Sequence, residues 1–261
     1  MKIIDQWALV TGASSGIGAD IARELARRGM NVVLVARRQD RLDELAIELR
    51  RDHSVQADTD ACDLQDEGAA AALLQRTQAR GRHIHVLVNN AGFGLHGNFI
   101  DQDTADLRQL IQVNVIALME LTHAFGKVMA EHDGGYILQV ASIAGVNPLP
   151  SYAAYAATKA FVLSLSEAIA HELGDRKVAV TALLPGVTWT EFFDVSGQKP
   201  TTYSRIFGMS SPDVARIGVK AMLAERHSVI AGWRNWFAIG LARVFPRHVR
   251  AWLTWQVNKN R

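Results

Sequence analysis

The chain has 261 residues, of which 49% are hydrophobic and 21% charged, a globular profile long enough to bury a full core as one large α/β domain or two small ones. The net charge is +2, but residues 233–261 hold six basic residues and no acid, so the first 232 carry −4, which argues against general nucleic-acid binding by the body. One cysteine, Cys62, excludes an internal disulfide and a cysteine-based metal cluster; it is expected to be a buried thiol in a reducing compartment. Asp5 interrupts the N-terminal region, and no run of about eighteen apolar residues appears, so the expected location is cytoplasmic.

Trp7 to Val10 is a short apolar run that leads into Thr11-Gly-Ala-Ser-Ser-Gly-Ile-Gly18, after which Ile21, Leu25 and Ala26 recur at helical spacing. This reads as strand, glycine turn, helix. Gly12 permits the tight turn, and Gly16 and Gly18 allow backbone or a cofactor to come where a Cβ would intrude. The helix N-terminus offers free N–H groups and a positive dipole end to a diphosphate.

Gly29 closes that helix, and Asn31 to Val35 supplies a second strand, parallel to the first because a β-α-β unit crosses over right-handedly. Sites that prefer NAD usually carry an acid at the end of this strand to hold the ribose hydroxyls. Here the residues are Ala36-Arg37-Arg38, which suit the extra 2′-phosphate of NADP, with Arg37 favoured as the contact. The alternative is that these arginines solvate the start of the helix around Leu42, Leu45 and Leu49.

Val55 to Cys62 is expected to form a third strand, followed by Asp63-Leu64 and an alanine-rich helix containing Leu73 and Leu74. Asp63 is read either as a partner of the adenine amino group or as that helix's cap. Ile84 to Val88 runs into Asn89-Asn-Ala-Gly92, a strand end followed by small and amide residues against which a cofactor can lie. Leu107, Leu110, Ile111, Val115, Leu118, Leu121 and Phe125 mark one long amphipathic helix. Asn114 sits on or beside its core-facing stripe, where an amide is costly unless paired.

The chemistry concentrates in Ser151-Tyr-Ala-Ala-Tyr155-Ala-Ala-Thr-Lys159 and in Ser142, which follows the strand Tyr136 to Val140. Residues four apart share a helix face, so Tyr155 and Lys159 are neighbours, and a fixed cation should lower a phenol from about 10 by roughly one to three units. Tyr152 also falls on that face and is read as a pocket wall. Further on, Val178 to Leu184 is a buried strand followed by Pro185-Gly-Val-Thr-Trp-Thr190. Ser211-Pro212 reads as an N-cap with proline at the first helical position, starting a helix through about Glu225, and Ser228 to Ala231 as the last strand.

Over residues 6–232 these motifs, in this order, resemble the short-chain dehydrogenase/reductase family: Thr11 to Gly18, Asp63, Asn89 to Gly92, Asn114, Ser142, Tyr155 with Lys159, and Pro185-Gly186. The resemblance implies a single doubly wound α/β domain (Rossmann fold) with strand order 3-2-1-4-5-6-7 and a substrate lid at about 188–211; residues 233–261 depart from the shortest family members and are expected to form a C-terminal helical extension. It implies that Ser142 polarises a carbonyl and that Tyr155 exchanges the proton. Lys159 would lower the Tyr155 pKa and hold the nicotinamide ribose, and Asn114 would help to hold a proton-relaying water. It also implies a cofactor site built from Gly12, Ser14, Ser15, Gly16, Ile17, Gly18, Arg37, Arg38, Asp63, Leu64, Asn90, Ala91, Gly92, Tyr155, Lys159, Pro185, Gly186, Val187, Thr188 and Thr190. NADP(H) is preferred over NAD(H), no metal is expected, and a homodimer or homotetramer is the family expectation.

Substrate contacts are expected from Ser142, Val146, Tyr152, Tyr155 and Trp189, with Phe93, Leu95, His96, Leu149 and the stretch Trp189 to Phe207 bordering the same space; their apolar character suggests a lipophilic carbonyl. The extension holds four of the six tryptophans beside its six basic residues, a layout similar to the family branch of DltE-like proteins and microsomal hydroxysteroid or 3-oxoacyl reductases. Three readings of it stay open: peripheral contact with an anionic membrane, docking to an acidic partner, or a packed extension completing a dimer. The leading function is an NADP-dependent carbonyl/alcohol oxidoreductase, and the alternative is a cofactor-binding sensor or scaffold acting through the basic extension.

Overall fold

The structure, a computed structural model, describes residues 3–192, 207–242 and 244–258. In chain order its elements are β1 (Trp7–Thr11), α1 (Gly16–Arg27), β2 (Asn31–Ala36), α2 (Gln39–His53), β3 (Ala57–Ala61), α3 (Ala69–Ala79), β4 (Ile84–Asn89), α4 (Thr104–Ile111), a π-helical turn (Gln112–Ala117) and α5 (Leu118–Glu131). There follow β5 (Gly135–Val140), α6 (Ala153–Gly174), β6 (Val178–Leu184), β7 (Thr188–Trp189), β8 (Met209–Ser210), α7 (Ser211–Leu223), β9 (Ser228–Ile230), α8 (Trp233–Ala242) and α9 (Arg247–Asn258).

Seven strands form one sheet in the order β3-β2-β1-β4-β5-β6-β9, and every pairing is parallel. Leu9 at the centre pairs with Val33 on one side and Leu87 on the other. The expected order holds, with β9 as its seventh strand, because the two-residue strands β7 and β8 pair only with each other. Burial on both faces explains why the inner strands β1, β2 and β6 read as nearly continuous apolar runs. Side chains alternate between two cores: Ala8, Val10, Val32 and Leu34 join Ile21 and Leu25 of α1, Leu42 and Leu49 of α2, and Val214 and Met222 of α7. Leu9, Val33, Leu87 and Ile137 join Leu73 of α3 and Leu121, Phe125 and Met129 of α5.

The reversal of strand order between β1 and β4 opens a crevice beyond the strand carboxyl ends, which is where doubly wound sheets bind ligands. Thr11 knits that point together. Its hydroxyl donates to the Val88 carbonyl and accepts from the backbone N–H groups of Asn90 and Ala91.

Several local expectations are corrected. The long helix over 107–125 is interrupted by the π-helical turn that contains Asn114, a feature frequent at functional sites. The cap of α7 is Ser210, whose hydroxyl accepts from the Asp213 N–H, so Ser211 rather than Pro212 is the first helical residue. Asp63 does not cap α3, whose N-cap is Gly68; its carboxylate instead accepts from the Gln65 N–H. Cys62 is half-buried at the edge of the crevice rather than fully buried. Residues 193–206 of the expected lid lie outside the described residues.

Candidate active site

A cavity of about 870 Å³ runs across the crevice from the glycine turn to the two C-terminal helices. At one end, Gly12 takes φ +66°, a left-handed conformation that glycine adopts without cost. Gly18 lies in the first turn of α1, and a Cβ there would come within 2.3 Å of the Gly12 carbonyl oxygen. That contact makes Gly18 a packing residue beneath the turn, whereas Gly12, Ser14, Ser15, Gly16 and Ile17 line the cavity itself. Asn90 locks the turn from the far side, its amide donating to the carbonyls of Thr11 and Gly12 at 3.0 and 3.2 Å. The first turn of α1 carries no acidic residue to compete for its N–H groups.

The end of β2 delivers both arginines to the cavity, in different postures. Arg37 is 67% exposed and leans toward Asp63 at 3.9 Å. Arg38, not the favoured Arg37, is the one built into the turn: it donates to Ser14 Oγ at 2.9 Å, to Ser15 Oγ at 3.0 Å and to the Glu191 carboxylate at 3.0 Å. Asp63, Leu64, Ala91 and Gly92 line the same half of the cavity, and Pro185, Gly186, Val187, Thr188 and Thr190 line its far side. The glycine cradle, the free helix end and the arginine–serine group together fit a phosphorylated dinucleotide.

Ser142, Tyr155 and Lys159 meet on the cavity wall. Ser142 sits just beyond β5, caps the short 3-10 turn Ile143–Gly145 by accepting from the Ala144 N–H, and hydrogen-bonds with the Tyr155 phenol. Tyr155 and Lys159 face each other one turn apart on α6, with the ammonium 5.9 Å from the ring centre. Their protonation runs against the simple cation argument. Burial pushes Tyr155 up to about 12, an effect that its hydrogen bond with Ser142 only partly offsets. Burial likewise lowers Lys159 to about 8, and its ammonium donates to the Val140 carbonyl at 2.7 Å rather than to the phenol. Desolvation outweighs mutual attraction, with Lys159 buried and Tyr155 partly buried in the cavity wall.

Not every expected residue reaches this space. Asn114 is fully buried behind it, donating to the Phe93 carbonyl at 2.9 Å and accepting from the Phe93 N–H at 3.1 Å, so its side-chain amide is spent on fixing the chain after β4. Val146 faces a separate shallow depression beside Ala160 and Leu163, and Trp189 is 43% exposed and off the cavity wall. Neither expected substrate contact is there: Ile143 and Ala144 of the 3-10 segment still line the cavity but Val146 lies beyond its end, and β7 alternates its side chains, with Thr188 buried and Trp189 outward. His96 packs on Tyr152 at 5.1 Å between ring centres and lies off the lining, whereas Phe93, Leu95, Leu149 and Tyr152 are part of it.

Two groups of lining residues stand out among those that escaped the sequence reading. Asp106, Gln109 and Val113 border the cavity from α4 and the π-helical turn. Their 3,4 spacing marks one helix face and could have been found. Phe192, within the stretch expected to border this space, covers Tyr155 at 5.4 Å between ring centres. Ile239, Leu253 and Thr254 come from α8 and α9, which close the cavity's mouth, with Arg250 donating to Asn147 at 2.7 Å and Thr254 to the Pro148 carbonyl. Asn235 of α8 is 1% exposed and packs directly on Gly186.

Residues 6–200 match the family model described as short chain dehydrogenase. The chain belongs to the short-chain dehydrogenase family. It is 34% identical to the very-long-chain 3-oxoacyl-CoA reductase of Bos taurus over 202 residues, 76% of this chain and 64% of that one. The chain thus spans less than two thirds of the length of the mammalian 3-oxoacyl-CoA reductases it matches. Among solved structures it is similar to a short-chain dehydrogenase from Sphingobium yanoikuyae in complex with NADPH, at 33% identity, TM-score 0.81, and 92% and 94% coverage of the two chains. It is also similar to the bulky-bulky ketone specific alcohol dehydrogenase from Comamonas testosteroni, at 32% identity, TM-score 0.77 and 92% coverage of each.

Proposed function

We propose that this short-chain dehydrogenase is an NADP(H)-dependent oxidoreductase that interconverts a lipophilic carbonyl compound and its secondary alcohol. The observation that carries the reading is the hydrogen-bonded Ser142–Tyr155 pair set beside Lys159 in the cavity that begins at the glycine turn. Ser142 orients and polarises the substrate oxygen; Tyr155, protonated in the neutral range, gives that oxygen its proton in reduction, and its ionised form takes the proton in oxidation. Lys159 supplies a cation beneath the same atoms, and the bound nicotinamide supplies or accepts hydride. Asn114 acts at one remove, holding the Gly92–Phe93 backbone.

The preference for NADP(H) rests on Arg38 with Ser14 and Ser15 at the end of β2, where a carboxylate would otherwise hold the ribose. Asp63 is read as the adenine contact. A lipophilic substrate is supported by the apolar lining of Phe93, Leu149, Tyr152, Phe192, Ile239 and Leu253, and by the ketone and 3-oxoacyl substrates in the relatives' names.

Peripheral contact with an anionic membrane is supported by α8, which buries Asn235 and Ile239 while leaving Trp233, Trp236 and Phe237 exposed. No helix among the described residues is long and apolar enough to cross a membrane. Exposed Ile111, Met119 and Phe161 near or on α5 and α6 support self-association through that face.

The test is NADPH consumption by the purified protein across small ketones, steroids, quinones and 3-oxoacyl thioesters, with NADH and Tyr155→Phe as controls. Turnover of a lipophilic carbonyl with NADPH and a silent variant are the expected results. Equal turnover by Tyr155→Phe would remove the catalytic assignment. NADPH binding with no turnover on any substrate would favour the sensor or scaffold reading.

A further inference from the structure

The donors that would recognise a 2′-phosphate are already engaged by a residue of the chain itself. Glu191 follows the β7 strand and extends its carboxylate back to the glycine turn, taking a hydrogen bond from Arg38 at 3.0 Å on one oxygen and one from Arg41 on the other. Arg38 simultaneously bonds Ser14 and Ser15, so a carboxylate sits among two guanidinium groups and two hydroxyls. Such a set matches a phosphate at least as well, since phosphate offers more oxygens and more charge to the same planar donors. Glu191 also lines the cavity and is 39% exposed, so it can leave without unfolding anything. Its ion pairs hold it far below the ordinary carboxylate range, at about 2, so it is charged at any physiological pH.

We propose that Glu191 is an internal competitor for the 2′-phosphate of NADP(H), so that its carboxylate must be displaced from Arg38 and Arg41 for the phosphate to bind and thereby sets how far the pocket prefers NADP(H) to NAD(H). The inference rests on the reading of Arg38 as the 2′-phosphate contact. A cofactor without that phosphate leaves the Glu191 contacts in place and bears no such cost. Exposed ion pairs are individually weak, so the displacement is affordable for a doubly charged ligand.

Calorimetric titration of the full chain with NADP⁺, NAD⁺, 2′,5′-ADP and 5′-ADP tests this without any substrate. Glu191→Gln and Glu191→Ala are expected to bind NADP⁺ and 2′,5′-ADP about three- to tenfold tighter, with NAD⁺ and 5′-ADP within about twofold of wild type. Unchanged or weaker NADP⁺ binding by both variants overturns the proposal, as does a selective loss of NAD⁺ affinity, which would make Glu191 a ribose ligand. Arg38→Ala separates the two layers. If it lowers the preference for NADP⁺ while the Glu191 variants do nothing, the NADP reading stands and the competitor role falls. If neither arginine nor glutamate variants alter the ratio of NADP⁺ to NAD⁺ affinity, both fall together.

Discussion

The Lys159 ammonium is bonded to the Val140 carbonyl at 2.7 Å, at the end of the strand that leads to Ser142. A cation held this way, 5% exposed, is tethered to the sheet rather than to the phenol it accompanies. Its pKa falls from 10.5 to about 8, which corresponds to about 3 kcal/mol against the charged form. A buried base of this kind binds fewer protons folded than unfolded between pH 8 and 10.5. The cost of burying its charge is therefore full below about pH 8 and fades toward 10.5. Lys159→Met should gain stability relative to wild type at pH 7 and lose that advantage by pH 10.5, the difference moving by up to about 3 kcal/mol. Chemical denaturation across pH 6–10.5 reads this, and a pH-independent difference would contradict it.

Tyr155 is expected to account for the proton step. A positioned general acid contributes roughly a hundred to ten thousand-fold, so Tyr155→Phe should lose that much in kcat with cofactor affinity unchanged. A loss of NADPH binding of similar size would instead mark the tyrosine as structural.

Because the hydrogen bond with Ser142 lowers the Tyr155 pKa, removing it should raise that pKa further. In Ser142→Ala the residual rate of alcohol oxidation, which needs the ionised phenol, should rise only at higher pH than in wild type. An alkaline limb that stays where it was would separate the two residues.

The loop under Pro185 depends on the C-terminal extension. A Cβ on Gly186 would lie 2.4 Å from the Asn235 amide nitrogen, inside contact distance, and Asn235 is itself held by a 2.8 Å bond to the Ala231 carbonyl. Gly186→Ala should cost about 1–3 kcal/mol, and adding Asn235→Ala should recover part of it. Thermal unfolding of the two single variants and the double variant measures the coupling; strict additivity would show that the contact does not matter.

If α8 lies against lipid, Trp233→Ala, Trp236→Ala and Phe237→Ala combined should abolish sedimentation with anionic vesicles and leave folding intact, since all three side chains are at least 61% exposed. Wild-type protein that ignores both anionic and zwitterionic vesicles would end the membrane reading.

The strands, the glycine turn and the pairing of Tyr155 with Lys159 were legible in the residues because each is locally encoded, whereas the sheet order and the role of Ser142 came from the family resemblance. Apolar runs mark strands buried on both faces, the glycine spacing marks a backbone turn, and a separation of four marks one helix face. Asn114 was legible only as a buried amide in need of partners. Which partners it finds depended on where the chain after β4 is laid down, and they proved to be the Phe93 backbone and Thr158.

What the tertiary structure alone decided were long-range meetings and protonation. No local pattern shows Glu191 reaching back about 150 residues to Arg38 and Arg41, α8 and α9 roofing the cavity through Ile239, Leu253 and Thr254, or Val146 and Trp189 turning away. The sequence by itself determined that Tyr155 and Lys159 are neighbours. Only the packing around them decided that burial, not their mutual attraction, governs their pKa values, because desolvation depends on everything that surrounds a group rather than on its nearest neighbour in the chain.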